Sequence, residues 1–217
     1  MSDSDELVDT AFRERLREQA ESAGLSLDLT QMGHFEHYFR LLRHWNRTIN
    51  LTALPLAGLP DRTLDRLFIE PLQAAQFVDD VPLLWFDLGS GGGSPAIPLK
   101  IMRPLSRLRM VESRSRKAAF LSEVVRSLTL TTTEVLPIRI EELVRSAPAG
   151  QGDLLTIRAI KIEEGLVQAA AGLLRLGGRL LLFGSEWPHA VKHGDFRVVQ
   201  QVNLAGDSTL QVLTRVA

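Results

Sequence analysis

The sequence predicts an α/β fold: a mostly parallel sheet, closed by an antiparallel carboxy-terminal hairpin and preceded by a helical extension. Three observations support this. From Leu83 onward, short apolar runs alternate with helical stretches, the pattern of successive βα units. The first run, Leu83 to Leu88, ends in Gly89-Ser90-Gly91-Gly92-Gly93, where a backbone without Cβ atoms can approach a ligand closely. The last two runs, Phe196 to Val202 and Thr209 to Val216, are strand-like and are joined by a turn-forming stretch, Asn203 to Ser208.

Residues 1–78 read as the helical extension, packed on the core, and 79–217 as the α/β unit, the two forming one compact body. Val8, Phe12, Leu16 and Ala20 recur every fourth residue between Leu7 and Ala20, which gives one buried stripe. A second helix spans Thr30 to Ile49. Met32, Phe35, Phe39, Leu42 and Ile49 form its apolar face, and Arg40, Arg43 and Arg47 share another. Pro55, Gly58 and Pro60 then break the chain. A third helix, about Arg62 to Phe77, is bent or interrupted near Pro71. Strands are expected near 83–88, 107–112, 133–138, 153–158 and 179–183, and helices near 94–102, 115–128, 139–146 and 163–175. Leu176-Gly177-Gly178 reads as a helix stop.

The 217 residues suffice for one well-buried core. A net charge of −1 exerts no global pull toward nucleic acid. Lys100, Arg103, Arg107, Arg109, Arg114, Arg116 and Lys117, however, are opposed by Glu112 alone. They suggest either a local basic face for RNA phosphates or a solvated sheet edge. The absence of cysteine excludes disulfides, thiolate metal sites and a cysteine nucleophile, and fits a reducing cytoplasm. The histidines, at 34, 37, 44, 189 and 193, form no metal motif. No apolar run approaches the roughly 18 residues of a membrane span, and the acidic start is not a secretory signal.

A glycine loop at the carboxyl end of a strand reads as a nucleotide or nucleoside site. Gly89-x-Gly91 is followed by Ser94 where a dinucleotide fingerprint wants glycine or alanine. The alternative spacing, Asp87-x-Gly89-x-Gly91-x-Gly93, resembles the first motif of S-adenosylmethionine-dependent methyltransferases. Glu112 ends the second expected strand, 23 residues beyond Gly89, where a carboxylate can accept both ribose hydroxyl protons.

Further segments extend the likeness in order: Trp45-Asn46 and Asn50-Leu51-Thr52, Ile97-Pro98-Leu99, Glu112-Ser113, Arg116-Lys117, Phe120-Leu121, Arg139-Ile140-Glu141-Glu142, and Arg158-Ala159. Together, from Phe39 to Phe183, they resemble the bacterial small-subunit ribosomal RNA guanine-N7 methyltransferases, also called glucose-inhibited division protein B. The resemblance implies a class I methyltransferase fold with a Rossmann-like sheet. It implies S-adenosylmethionine bound by Gly89, Ser94, Ile140 with Glu141, and Arg158, alongside Asp87, Gly91, Gly93 and Glu112 of the loop and acid. It also implies 16S ribosomal RNA, or the small subunit, as substrate of a cytoplasmic enzyme, expected to be a monomer with neither metal nor membrane. The chain departs from the family pattern at Ser94 (Leu), Ala96 (Gly), Ile157 (Ser), Ile160 (Phe) and Phe183 (Lys), and Asp65 to Pro71 lacks an Arg-His-x-x-Asp-Ser pattern.

Guanine N7 has an in-plane lone pair and no proton. Its methylation needs an in-line approach to the methyl donor, and positioning supplies most of the barrier reduction, on the order of several kcal/mol. The lack of cysteine counts against methylation of pyrimidine C5 through a thiolate adduct. Arg139 and Arg158, each after an expected strand on the ligand side of the sheet, are the candidate catalytic residues. Either can steer a guanine edge or a phosphate, and the plainer alternative is an ion pair with Glu141 or Asp153. Arg116 and Lys117 are candidates for RNA backbone, whereas Trp45 and Trp187 read as packing residues. Two other readings stay open: the same fold acting on a different RNA or small molecule, and a non-catalytic RNA- or ribosome-binding module. A nicotinamide dehydrogenase lacks an evident acid/base pair.

Overall fold

The computed structural model describes residues 3–184, 187 and 195–217, with side chains from Thr10 onward. Val8 of the expected stripe lies outside the described side chains, and His189 and His193 lie outside the described residues.

The extension begins with α1 (Asp3–Ser22) and α2 (Leu29–Asn46). Asp28 caps α2 by accepting from the Gln31 amide, and the Gln31 side chain returns a bond to Asp28, a reciprocal capping box. After the Pro55–Pro60 break, α3 (Asp61–Leu64) passes into a π turn, Asp65–Ile69, then α4 (Glu70–Ala74) and a 3-10 turn, Ala75–Phe77. The bend expected near Pro71 thus takes the form of a wider turn just before it. Proline has no N–H for the preceding helical carbonyls, and π turns of this kind recur at functional sites. The turn places Phe68 at the centre of an aromatic cluster. Its ring meets Phe12, Phe35, Tyr38 and Phe39 edge-on at centroid distances of 5.2, 6.0, 5.8 and 6.3 Å.

The remainder is β1 (Leu84–Leu88), α5 (Ala96–Met102), β2 (Arg107–Val111), α6 (Ser115–Ser127), β3 (Thr133–Leu136), α7 (Ile140–Ser146), β4 (Gly152–Arg158), α8 (Glu164–Leu173), β5 (Leu174–Phe183), β6 (Phe196–Asn203) and β7 (Thr209–Arg215). They build a 7-stranded sheet in the order β3-β2-β1-β4-β5-β7-β6. β1 to β5 pair in parallel, and β7 runs antiparallel to both β5 and β6. The expected α/β architecture and its carboxy-terminal hairpin are both present. Strand order reverses between β1 and β4, and crevices at such switch points hold ligands in open α/β sheets.

Successive strand residues face opposite sides of the sheet, which divides the core in two. Trp85, Leu108, Leu154 and Leu181 pack with Phe12, Phe35 and Phe39 of the extension. Phe86, Leu155, Leu180 and Leu213 pack with the α7–α8 side. The extension therefore shares a core with one face of the sheet.

Two expectations need correction. Leu176-Gly177-Gly178 does not stop a helix: α8 ends at Leu173, and Leu174 already pairs with Gly152. The glycines occupy an irregularity before Arg179 resumes pairing with Leu154, and a Cβ on Gly178 would lie 2.9 Å from the Arg175 carbonyl oxygen. The basic run from Lys100 to Lys117 is also not one face. Lys100 is 2% exposed, and its ammonium donates to the carbonyls of Pro104 and Ser106 and to Thr132 Oγ1, while burial lowers its pKa to about 8. Arg103 donates to the Ala75 and Val78 carbonyls, and Arg109 pairs with Glu134 at 3.2 Å. These cations anchor loops and a strand edge.

Phe68 is fully buried at the hub of the aromatic cluster. Phe68→Ala is expected to destabilise the protein by about 3–5 kcal/mol, because the surrounding rings cannot collapse into the space left. Urea unfolding measures this, and a loss below about 1 kcal/mol would mean that the cluster is not a structural hub.

Candidate active site

The carboxyl ends of β1 and β2 shape the glycine loop. The amides of Gly89 and Ser90 both donate to the Val111 carbonyl, at 2.9 and 3.1 Å, so the loop folds back over β2. Gly89 has φ +70°, and a Cβ there would lie 2.5 Å from Ile160 Cδ1. Just past β2, Glu112 accepts from the Gly91 amide at 2.9 Å through Oε2 and from the Arg114 amide at 2.8 Å through Oε1. Each carboxylate oxygen carries about two acceptor positions, so each keeps one.

Two cavities meet along Gly89 and Glu112. One, of about 400 Å³, is bordered by Gly91, Ser94, Arg114, Lys117 and Arg158. The other, of about 250 Å³, is bordered by Ile138, Arg139, Ile140, Glu141 and Ile160. The geometry thus gathers most of the sequence-derived residues around one ridge. Asp87 and Gly93 lie beneath the loop rather than on a cavity wall, and a Cβ on Gly93 would press on Ile97, Tyr38 and Leu121. Arg116, on the first turn of α6, borders neither cavity.

Under the loop, Trp85 Nε1 donates to Thr156 Oγ1 at 2.9 Å, and that hydroxyl donates to Asp87 Oδ1. Asp87 Oδ2 is buried with no hydrogen-bond partner among the described residues, and burial raises the pKa of this carboxyl to about 6. From above, Tyr38 of α2 donates to the Gly92 carbonyl at 2.6 Å.

Arg158 ends β4 in the interior. Its partner is Glu70, at 2.7 Å, rather than Glu141 or Asp153; Asp153 instead pairs with Arg175 at 2.6 Å. Arg158 Nη1 donates to Ser94 Oγ at 3.1 Å and to the Arg66 carbonyl, and its guanidinium lies 4.4 Å from the centre of the Phe183 ring. Ser94 Oγ in turn donates to the Leu67 carbonyl at 3.0 Å. Pro71, four residues on from Leu67, has no N–H to reach that oxygen, so the serine takes its place. Arg66 also pairs with Glu70, at 3.2 Å. Burial lowers the pKa of Arg158 to about 10, so it is a cation at neutral pH; burial raises that of Glu70, against the pull of Arg158 and Arg66.

Sequence reasoning missed Glu70. The signal was available: it is the lone acid in Leu67-Phe68-Ile69-Glu70-Pro71-Leu72, an otherwise apolar stretch.

A family model described as rRNA small subunit methyltransferase G matches residues 31–204. The ribosomal RNA small subunit methyltransferase G of Roseiflexus castenholzii is 38% identical over 164 residues, 75% of this chain and 68% of that protein. Its counterpart from Chloroflexus aggregans is 33% identical across 96% of this chain and 92% of its own length. Among solved structures, a SAM dependent methyltransferase from Aquifex aeolicus superposes with a TM-score of 0.55 at 14% identity, covering 69% of this chain and 91% of that one, a likeness of fold.

Removing the Glu70 carboxylate strands two guanidinium groups, one of them deeply buried. Glu70→Ala is expected to destabilise by about 3–5 kcal/mol, the scale for breaking a buried pair. Glu70→Gln, which keeps an acceptor, should lose less. Urea titrations of the two variants test that order, and equal losses would contradict it.

Proposed function

The chain belongs to the rRNA small subunit methyltransferase G family, and we propose that it transfers the methyl group of S-adenosylmethionine to N7 of a guanine in 16S ribosomal RNA. The observation that carries this reading is Glu112, pre-oriented by two backbone amides on the ridge between two cavities.

The residues present fit the cofactor. Glu112 keeps one free acceptor position on each oxygen, the pair that ribose hydroxyls need. Ile138, Ile140 and Ile160 offer apolar surface to an adenine, with Arg139 and Glu141 at the rim. Gly89 and Gly91 leave the loop backbone bare for the methionyl end, and Asp87 Oδ2, beneath the loop, is a buried acceptor suited to hold an ammonium there through one water. When bound, the cofactor supplies an electrophilic methyl on a positively charged sulfur.

The chain's own residues have only to hold the acceptor in line, because guanine N7 carries no proton and needs no general base. Arg114 and Lys117, bordering the larger cavity, and Arg116 beside them are suited to RNA phosphates. Arg158 acts as a positioning residue: its terminal nitrogens donate to Glu70, Ser94 and the Arg66 carbonyl, which ties the loop to the helical extension. Arg139 borders the adenine-side cavity, which supports a role beside the cofactor.

Two measurements test the reading. Labelled methyl transfer to naked 16S RNA, 30S subunits and a total metabolite extract, run in parallel, is expected to yield labelled 7-methylguanine in one or both RNA substrates. Label appearing in metabolites alone would overturn the assignment. Cofactor affinity also carries a pH signature. With an Asp87 pKa of about 6 in the free protein, lowering the pH protonates the carboxyl that must pair with a cation. Affinity for S-adenosylmethionine is expected to weaken by about tenfold between pH 7 and pH 5, from linkage to that one group. Asp87→Asn should bind more weakly at pH 7 and lose the pH dependence; calorimetry at both pH values reads this out.

A further inference from the structure

Beside the cofactor crevice lies another cavity, of about 280 Å³, between the π turn and the carboxyl end of β5. We propose that it receives the Watson–Crick edge of the acceptor guanine, with the Asp65 carboxylate accepting from N1–H and the 2-amino group while the base lies on the Arg66 guanidinium. The proposal rests on the RNA methyl-transfer reading above and names the specificity element of the same site.

The lining favours a base edge over a phosphate or an apolar group. Every side chain bordering the cavity is polar: Arg62, Asp65, Arg66, Glu70, Asp207 and the hydroxyls of Ser208 and Thr209, with the backbone of Gly184 and Gly206 between them. Three of these groups are already committed to one another or to Arg158. Glu70 accepts from Arg158 and Arg66, and Arg66 donates to Glu70 and, at 2.9 Å, to Ser208 Oγ. Asp65 makes neither a hydrogen bond nor an ion pair with the described residues. A free carboxylate accepts two parallel N–H donors, and guanine is the base whose Watson–Crick edge offers an imino and an amino donor side by side.

Arg66 is held as a platform. A Cβ on Gly184 would lie 2.5 and 2.6 Å from its terminal nitrogens and 3.0 Å from Cζ, so the edge carrying those two nitrogens abuts Gly184 and fixes where the guanidinium sits. The side chain remains 31% exposed and borders both this cavity and the larger one of the cofactor crevice. Guanidinium planes of this kind stack on nucleobases. In guanine, N7 lies across the bicycle from N1 and the 2-amino group. A base with its Watson–Crick edge at Asp65 therefore points N7 back over Arg66 toward Ser94 and Arg158.

The same contact would act on the chemistry. As the N7 lone pair forms the new N–CH₃ bond, the C–S bond pair passes to sulfur. The positive charge leaves the sulfonium and appears on the purine, which makes N1–H a stronger donor. A carboxylate on that edge holds the developing cation more tightly than the neutral base, an interaction that raises kcat rather than binding alone.

The test is steady-state methyl transfer to 30S subunits or 16S RNA lacking the modification, with S-adenosylmethionine affinity measured separately by calorimetry. Asp65→Asn is expected to lower kcat by at least about a hundredfold, with cofactor Kd and the urea midpoint unchanged within about twofold; Asp65→Glu should recover part of the rate. Gly184→Ala, which must displace Arg66, should also lower kcat while sparing cofactor binding. An active wild type with Asp65→Asn unaffected overturns the proposal, as does a loss confined to the RNA KM, which would make Asp65 a general RNA contact. Loss of cofactor affinity overturns it too. A wild type that methylates no ribosomal RNA overturns the parent reading, and the proposal with it.

Discussion

Glu70 and Arg158 meet in the interior at 2.7 Å, and the active-site crevice is organised around that contact. Neither charge is affordable there alone, since desolvating an isolated ion takes several kcal/mol. The pair is supported by further bonds from both partners, although Arg158 Nε finds no acceptor among the described residues. Arg158 reaches Ser94 and the Arg66 carbonyl, and Glu70 also receives Arg66. The consequence is positional. Glu70 belongs to the helical extension, Ser94 to the glycine loop and Arg158 to β4, so one cluster of charge-assisted bonds ties three parts of the chain together. Pro71 is part of the same arrangement, because the carbonyl it leaves without an amide is the one that Ser94 occupies.

The extension also roofs the cofactor loop. Phe68, in the π turn next to Glu70, is the hub of the aromatic cluster that docks α1 and α2 on the sheet. One helix further, Tyr38 reaches down to the Gly92 carbonyl, while Leu42 and Leu51 wall the larger cavity. Glycines alone would leave such a loop mobile. Here the amides of Gly89 and Ser90 are tied to Val111, that of Gly91 to Glu112, and the Gly92 carbonyl to Tyr38. The backbone is bare but held, which is what a site acting by positioning requires.

What the sequence made legible follows from how local each signal is. The β1–loop–α5 unit, Glu112 and the alternation of strands and helices are written in contiguous residues whose spacing has a direct physical meaning. Boundaries slipped where a tertiary contact decided them. Leu174 leaves its helix because it pairs with Gly152, and the glycines after it serve a bulge that composition cannot distinguish from a helix cap. The basic run misled for the same reason. Charge counted along the chain says nothing of whether Lys100 faces water or three oxygens inside the protein. Arg158 was legible as a candidate at the end of its strand, but its partner was not: Glu70 lies 88 residues away, just after a π turn that no periodicity announces.

The departures from the family pattern can be read through the same cluster. Ser94 replaces an apolar residue and gains a partner, the carbonyl exposed by Pro71 in the segment where the family's Arg-His-x-x-Asp-Ser pattern is missing. Phe183 stands where a lysine is usual, and its ring lies against the Arg158 guanidinium at 4.4 Å. A lysine there would place a second cation beside an arginine whose charge is already costly to bury, whereas an aromatic face stabilises it. Ile160, in place of phenylalanine, packs its Cδ1 against the space a Cβ on Gly89 would need. Ser94 and Phe183 thus both touch Arg158, and Ile160 lies against the loop. They leave the Glu112–Gly91 contact untouched.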